Sequence, residues 1–307
     1  MPLQHSGSRL NLNRLRMLVE LRDHGTISEV ADIFLMTHSA VSQQLTRLEK
    51  DVGYSLLEKN GRSLRLTDKG KILADYADRM LTLADEAMSV LASQQAVEGH
   101  LRIAAFQSAL VGLAPLVSAR LRELHPELTL EFLQYDVAEG MLALKKERVD
   151  IVIGEELPLA ANVDFNGVHR LDLYEEPLVL VTPTDGTYAL DPAVARTFQD
   201  YAQVPFLLNP ADTVAGQWER VFCMTQGLNP LIVVETPDPL LQLELVRAGM
   251  GVAILPSLVL THAQNEVSVR ALPTHPTRTL FTAVRTGRQL HPSIQAFRLA
   301  LSQVADT

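Results

Sequence analysis

The chain has 307 residues, room for two or three compact units, and 47% apolar against 21% charged residues sets it among globular proteins and excludes a disordered or fibrous one. No run approaches the about eighteen apolar residues a membrane span needs, and the opening Met-Pro-Leu-Gln-His-Ser-Gly lacks the apolar core of a signal peptide, so no membrane partner and a cytoplasmic location are expected. The net charge of −9 divides unevenly: residues 1–66 hold nine Lys or Arg against seven Asp or Glu, the remainder 18 against 29, the asymmetry expected when one module alone meets phosphate.

Leu15, Leu18, Val19 and Arg22 recur at helical spacing, which predicts a first helix over Leu12 to His24. After Gly25, the run Thr26-Ile-Ser-Glu-Val-Ala-Asp-Ile-Phe predicts a short second helix with Thr26 or Ser28 as its N-cap, burying Ile27, Val30, Ala31 and Phe34. Only Leu35 and Met36 separate it from Thr37, the expected cap of a third helix whose Val41, Leu45, Leu48 and Val52 form one apolar stripe. On its other side lie Thr37, His38, Ser39, Ser42, Gln43, Thr46, Arg47 and Lys50. Hydroxyls and an amide can pair with base edges, and cations can read guanine or hold phosphate. The plainer alternative for such a face is ordinary solvation, and the neighbouring helix decides against it: together the two form a helix-turn-helix with Thr37 to Lys50 as the recognition helix. Leu56 to Leu66 then reads as two short alternating runs joined across Asn60-Gly61, a hairpin wing that presents Arg62 and Arg65.

This order resembles the LysR-type transcriptional regulators. The resemblance rests on Gly25-Thr-Ile-Ser, on Ser39-Ala-Val-Ser-Gln and Arg47-Leu-Glu within the third helix, and on Gly61-Arg followed by Leu66-Thr and Gly70, a pattern met from Leu15 to Gly70. Two departures stand out: His38 occupies a position where the family usually carries Gln, and Leu57-Glu-Lys59 replaces its usual Phe-x-Arg before the wing. The first bears on base preference, the second on a phosphate contact.

Thr67 predicts the start of a long proline-free helix to about Gln95, in which Leu73, Ala77, Met80, Ala84, Ala87 and Leu91 alternate in steps of four and three, the seam of a coiled coil. Packing of this helix on its own domain is the alternative; the resemblance implies pairing through it, as a homodimer or homotetramer. From Leu101 the period changes. Strands at Leu101–Phe106, Leu128–Leu133 and Asp150–Gly154 alternate with helices at Ala109–Glu123 and Ala138–Arg148. A second set follows: strands at Pro177–Pro183, Val204–Leu208, Leu231–Glu235 and Val252–Pro256, with helices at Thr213–Gln226 and Pro239–Ala248. Leu171-Asp-Leu-Tyr and Val267-Ser-Val-Arg read as paired crossing strands, and a strand near Thr279–Val284 with a helix at Pro292–Val304 returns to the first set.

The expected organisation is multi-domain: residues 1–66 an α+β winged helix-turn-helix DNA-binding domain, 67–97 a linker and dimerisation helix, 98–169 with 270–307 the first lobe of an effector domain, and 170–269 its second lobe. Two α/β lobes joined by two crossings resemble periplasmic solute-binding proteins, the fold this family uses to sense effectors. Ligands of open α/β sheets bind beyond the carboxyl ends of strands. That rule selects Gln107, Ser108, Tyr135, Asp136, Glu155, Asn209, Thr213 and Thr236, each of which alone is more simply a cap or turn residue. Asp136, Glu155, Glu156 and Asp212 lean toward an amine or hydroxyls, while Ser108 and Thr213 as helix N-caps would gather a carboxylate between the lobes; an amino acid satisfies both leanings.

Cys223 and Trp218 read as core, a single cysteine excludes a disulfide, and the nine histidines show no ligand spacing, so neither metal nor cofactor is expected. The competing functions are an enzyme or a solute receptor built on the two lobes. Neither G-x-S-x-G, P-loop, G-x-G-x-x-G nor H-E-x-x-H occurs, and a receptor would carry an export signal in place of a DNA module. The expected partners are therefore double-stranded promoter DNA, a small-molecule effector and a second copy of the chain.

Overall fold

Side-chain oxygens start the first three helices. Asn11 accepts from Arg14 N at 3.1 Å to begin α1 (Leu12–His24), Thr26 from Glu29 N at 3.2 Å to begin α2 (Ile27–Ile33), and Thr37 from Ala40 N at 3.2 Å to begin α3 (His38–Val52). Such a cap contributes about 1 kcal/mol, a useful sum for a seven-residue helix. Gly25 and Gly53 end α1 and α3 at φ 81° and 73°, the left-handed turn that glycine enters without a Cβ clash. Next come the hairpin β1 (Leu57–Asn60) and β2 (Ser63–Leu66) and the long α4 (Asp68–Ala92). This computed structural model describes residues 10–60, 63–92, 96–158, 165–190, 197–261 and 266–305.

The chain divides into two compact units, one made of everything up to Gln94 with Thr286–Leu290, the other of Gln95–Arg285 with the segment from His291. In the first, Leu15, Leu18, Val30, Val41, Leu45, Leu48, Leu56 and Leu66 build a core that Ala74 and Ala77 of α4 complete. Arg14 fastens α1 to α3 through Gln44, at 3.0 Å, and Asp51. Glu49 does the same for the wing, its carboxylate accepting from Leu56 N at 2.8 Å and Leu57 N at 3.1 Å. Gly70 is required by proximity: a Cβ there would stand 2.2 Å from Leu56 O, so any side chain would push α4 off the backbone that leads into β1.

The second unit is one nine-stranded sheet bent into two lobes. Lobe I holds β3 (Gly99–Ala105), β4 (Leu128–Gln134), β5 (Ile151–Glu156) and β11 (Thr277–Arg285), with α5 (Gln107–Gly112), α6 (Ala114–Leu124), α7 (Val137–Lys145) and α10 (Pro292–Ala305) over its faces. Lobe II holds β7 (Pro205–Leu208), β8 (Leu231–Glu235), β9 (Val252–Pro256) and β10 (Val267–Ala271), with α8 (Val214–Thr225) and α9 (Pro239–Arg247). Between them runs β6 (Val168–Pro183), sixteen residues that pair with β11 up to Pro177 and with β9 and β10 beyond it. The expected crossing pair is thus corrected. Leu171–Tyr174 pairs with β11, whereas Val267–Ala271 pairs with Val179–Pro183, farther along the same strand.

The single helix expected over Ala109–Glu123 is two, because Pro115 has no N–H to continue the turns of α5 and instead opens α6. Within each lobe the strands inside the βα units run parallel, and those at the crossings are antiparallel. Among the described residues no helix is long and apolar enough to cross a membrane, and no group of acidic, His or Cys side chains is arranged to hold a metal ion. Cys223 is free and fully buried, and burial pushes its thiol up to about 12, the state of an inert core residue.

Candidate nucleic-acid interface and ligand cleft

The stripe Val41, Leu45 and Leu48 fixes the rotation of α3, so its opposite face is solvent. There Thr37, His38, Ser39, Gln43, Thr46, Arg47 and Lys50 are exposed and Ser42 half-buried. They are not equally available. Thr37 caps the helix and bonds Ser39 at 3.0 Å, and Thr46 donates its hydroxyl to Ser42 O at 2.9 Å. Gln43, Arg47 and Lys50 have no partner among the described residues, an amide followed by cations one and two turns further along the helix. In the wing, Arg65 is exposed but paired with Glu58 at 2.5 Å, and Arg62 lies outside the described residues.

The α4 stripe differs from the expected seam. Ala77 is fully buried and Leu73 packs on the same core, because α1 has claimed that face. The unpartnered stripe is Ile72, Tyr76, Met80, Leu83, Ala87 and Leu91, with Ile72, Leu83 and Leu91 58%, 65% and 67% exposed. Met80, Ala87 and Leu91 belong to both stripes; Leu73, Ala77 and the half-buried Ala84 give way to the row beside them.

Between the lobes lies a cleft of about 290 Å³. Six of the residues selected by the strand-end rule line it: Gln107, Ser108, Tyr135, Asp136, Glu155 and Asn209. Thr213 and Thr236 do not. Thr213 caps α8, accepting from Gly216 N at 3.0 Å and donating to Pro210 O at 2.7 Å, while Thr236 is buried and accepts from Asp238 N at 3.3 Å. Nor is Ser108 an N-cap. Phe106 holds that place, and Ser108 sits inside α5, 2% exposed, its hydroxyl accepting from Arg278 Nη2 at 2.8 Å. A carboxylate gathered between Ser108 and Thr213 is therefore not what this cleft provides.

Beside Asp136 and Glu155, the cleft wall holds charges that the strand-end rule passes over. Arg278 is buried on β11, where its guanidinium lies 4.9 Å from the centroid of the Phe106 ring and is shared by Glu155 and by Glu176 at 2.6 Å. Glu176, wholly buried at the crossing in β6, also accepts from Leu258 N at 2.6 Å. Burial pushes the Glu176 carboxyl up, against the pull of Arg278. In lobe II, Glu219 lines the cleft from α8 and accepts from both Asn209 N and Asn209 Nδ2 at 2.7 Å. Gln242 on α9 donates Nε2 to Thr236 O at 2.8 Å. Trp218 is both core and cleft, stacked on Phe222 with centroids 5.2 Å apart. A signal for these existed: Glu219 shares a helical face with Phe222 and Cys223, and Gln242 one with Val246, each a polar residue on an apolar stripe.

Burial also pushes Glu219 up to about 7, its two bonds from Asn209 and the nearby Arg220 opposing this only in part. A folded-state value above the ordinary 4.5 stabilises the fold fully below 4.5, and that contribution is lost as pH rises through 7; it amounts to about 3 kcal/mol. Urea titrations are expected to show the second unit losing about that much between pH 5 and pH 8, and Glu219→Gln, a permanently neutral side chain, removing the loss. An unchanged slope in the variant would place the titration elsewhere.

Similarity to known proteins extends along most of the chain. Residues 12–71 match the family described as bacterial regulatory helix-turn-helix protein, lysR family, and residues 94–306 match the LysR substrate binding domain. A probable transcriptional regulator, LrrA of Synechococcus elongatus, is 26% identical over 96% of this chain and 98% of its own. PtxR of Pseudomonas aeruginosa is 30% identical over 86% of this chain and 82% of its own. Among solved structures, full-length BenM (23% identical, 97% of each chain, TM-score 0.55) and a full-length OxyR from Pseudomonas aeruginosa (19%, 95% of each, 0.60) share the fold.

Proposed function

The chain belongs to the LysR-type family of bacterial transcriptional regulators, and from that membership we propose how its residues divide the work. It is a DNA-binding regulator with a helix-turn-helix domain and an effector-binding domain. In our reading residues 1–66 bind DNA, α4 within 67–97 pairs two chains, and residues 98–307 sense a small molecule in the cleft lined by Ser108, Asn209 and Arg278. The protein works in the cytoplasm, where its promoter DNA is, and it acts by binding, not by catalysis. What carries the DNA assignment is the amide of Gln43 followed one and two turns on by the cations of Arg47 and Lys50, all three without a partner among the described residues, on an exposed helix face.

On this reading Gln43 meets a base edge and Arg47 a phosphate. Gln43→Ala is expected to lower specific affinity by about 1 to 3 kcal/mol and to relax sequence preference. Arg47→Ala should weaken specific and random DNA alike and reduce the slope of log affinity against log salt by about one. Fluorescence anisotropy on a promoter fragment recovered by in vitro selection, and on a scrambled copy, measures both. Equal losses on the two DNAs for both variants would sink this division of roles.

A further inference from the structure

Four carboxylates line the cleft, Asp136, Glu139, Glu155 and Glu219, against one guanidinium, Arg278. That guanidinium is already divided between Glu155 and Glu176 and has little left to offer an anion. Three of the helix starts around the cleft are also taken, since Asp136 caps α7, Thr213 caps α8 and Asp238 caps α9 with their own oxygens, and only the start of α5 at Phe106 has no side-chain cap. An incoming carboxylate would meet repulsion and few open donors.

A different atom says what the cleft lacks. Gln242 is 0% exposed, and its Nε2 is pinned to Thr236 O, which fixes the amide's orientation and leaves Oε1 as a buried acceptor with no partner among the described residues. Leaving a buried acceptor unpaired costs about 1 to 3 kcal/mol. A donor is what it needs. Glu219, on the same lobe, is a buried carboxylate whose two bonds come from the neutral Asn209 and which no cation among the described residues pairs directly: Arg220 beside it is engaged by Glu235, Asn209 O and Gly216 O. The Trp218 indole stands in the same wall and the Phe106 and Tyr135 rings line the cleft from lobe I, surfaces that suit an organic cation.

Taking the cleft as the effector site, we propose that the effector is an organic cation bearing N–H donors, a primary amine or guanidine, whose charged head sits between Glu219 and Gln242 Oε1 with its carbon skeleton against Trp218. The cation supplies Glu219 with its missing counter-charge and Gln242 with its missing donor at once. Of the acidic residues from which an amine was expected, Asp136 and Glu155 line the cleft and Glu156 and Asp212 do not.

Trp218 is the only tryptophan in the chain and lines the cleft, so its emission reports occupancy in the full-length protein. The probes are butylamine, phenethylamine, histamine and agmatine, set against butyrate and 3-phenylpropionate and against butanol and 2-phenylethanol, which keep two of the skeletons and change the head. At least one amine or guanidine should change Trp218 emission saturably, with the acids and alcohols at least tenfold weaker. Glu219→Gln and Gln242→Met should each weaken that probe at least tenfold, in protein whose circular dichroism and cooperative melting show it folded; the two variants alter different helices, so one serves if the other misfolds. Response to acids or alcohols with the amines and guanidine silent overturns the cationic class and leaves the cleft standing as the site. Cation binding indifferent to both variants overturns the assignment of the head group to Glu219 and Gln242. Silence from every probe of every charge overturns the proposal and the cleft reading with it.

Discussion

Leu83→Glu is expected to give a chain that folds, sediments as a monomer and binds promoter DNA at least about a hundredfold more weakly, since two-fold operators are read by two-fold proteins. Leu83 is 65% exposed at the middle of the stripe running from Ile72 through Tyr76 and Met80 to Ala87 and Leu91. Its replacement costs the single chain almost nothing, as substitutions at exposed positions usually do. Against a second copy the same carboxylate must be desolvated opposite apolar side chains without a partner, at several kcal/mol. One winged helix of net charge +2 within residues 1–66 holds few phosphates alone, so losing the partner loses most of the affinity. Ala77→Glu is the contrast. Ala77 is fully buried in the core shared with α1, and a charge there should unfold the N-terminal unit. Sedimentation velocity with circular dichroism separates the two outcomes, and an unchanged oligomer in Leu83→Glu would rule out this face of α4.

Arg278→Met should destabilise the second unit by about 3 to 5 kcal/mol at neutral pH, the effect of stranding buried charges, because it leaves both Glu176 and Glu155 without their guanidinium. Arg278→Lys should fail nearly as badly, since an ammonium cannot serve Glu155, Glu176 and Ser108 in three directions as the planar guanidinium does. Glu176→Gln added to Arg278→Met is expected to restore part of the loss, the mark of a coupled pair. Urea unfolding followed at Trp218 measures each, and additive losses in the double variant would show that the two side chains act independently.

Much of this is legible in the sequence. The caps Thr26, Thr37 and Thr213, the apolar stripe of α3 and the alternation of strands and helices follow from local rules, and those elements form where the pattern places them. The register of the α4 stripe is not. That helix has two adjacent apolar rows, Leu73 with Ala77 and Ile72 with Tyr76, and only the position of α1 decides which one turns inward. The cleft divided in the same way. Counting residues past strand ends finds Gln107, Tyr135, Asp136, Glu155 and Asn209, yet Arg278 lies within a strand, and Glu219 and Gln242 lie inside helices. Sequence distance hides them: Arg278 meets Ser108 across 170 residues and Glu155 across 123.

The continuous β6 also sets an order of assembly. Lobe I needs β11 between β5 and β6, and β11 is made only after the whole of lobe II. On the ribosome, where elongation runs at about 5 to 20 residues per second, the winged helix can close as soon as α4 has emerged, while β3, β4 and β5 must wait through more than a hundred further residues with the inner edge of β5 unpaired. An open edge of that kind is a template for wrong pairing. The nascent chain is thus most exposed to aggregation after it has gained a folded DNA-binding head and before it has gained a sensor, and a ribosome stalled between Pro183 and Thr277 would leave a regulator that can hold DNA but cannot answer its signal.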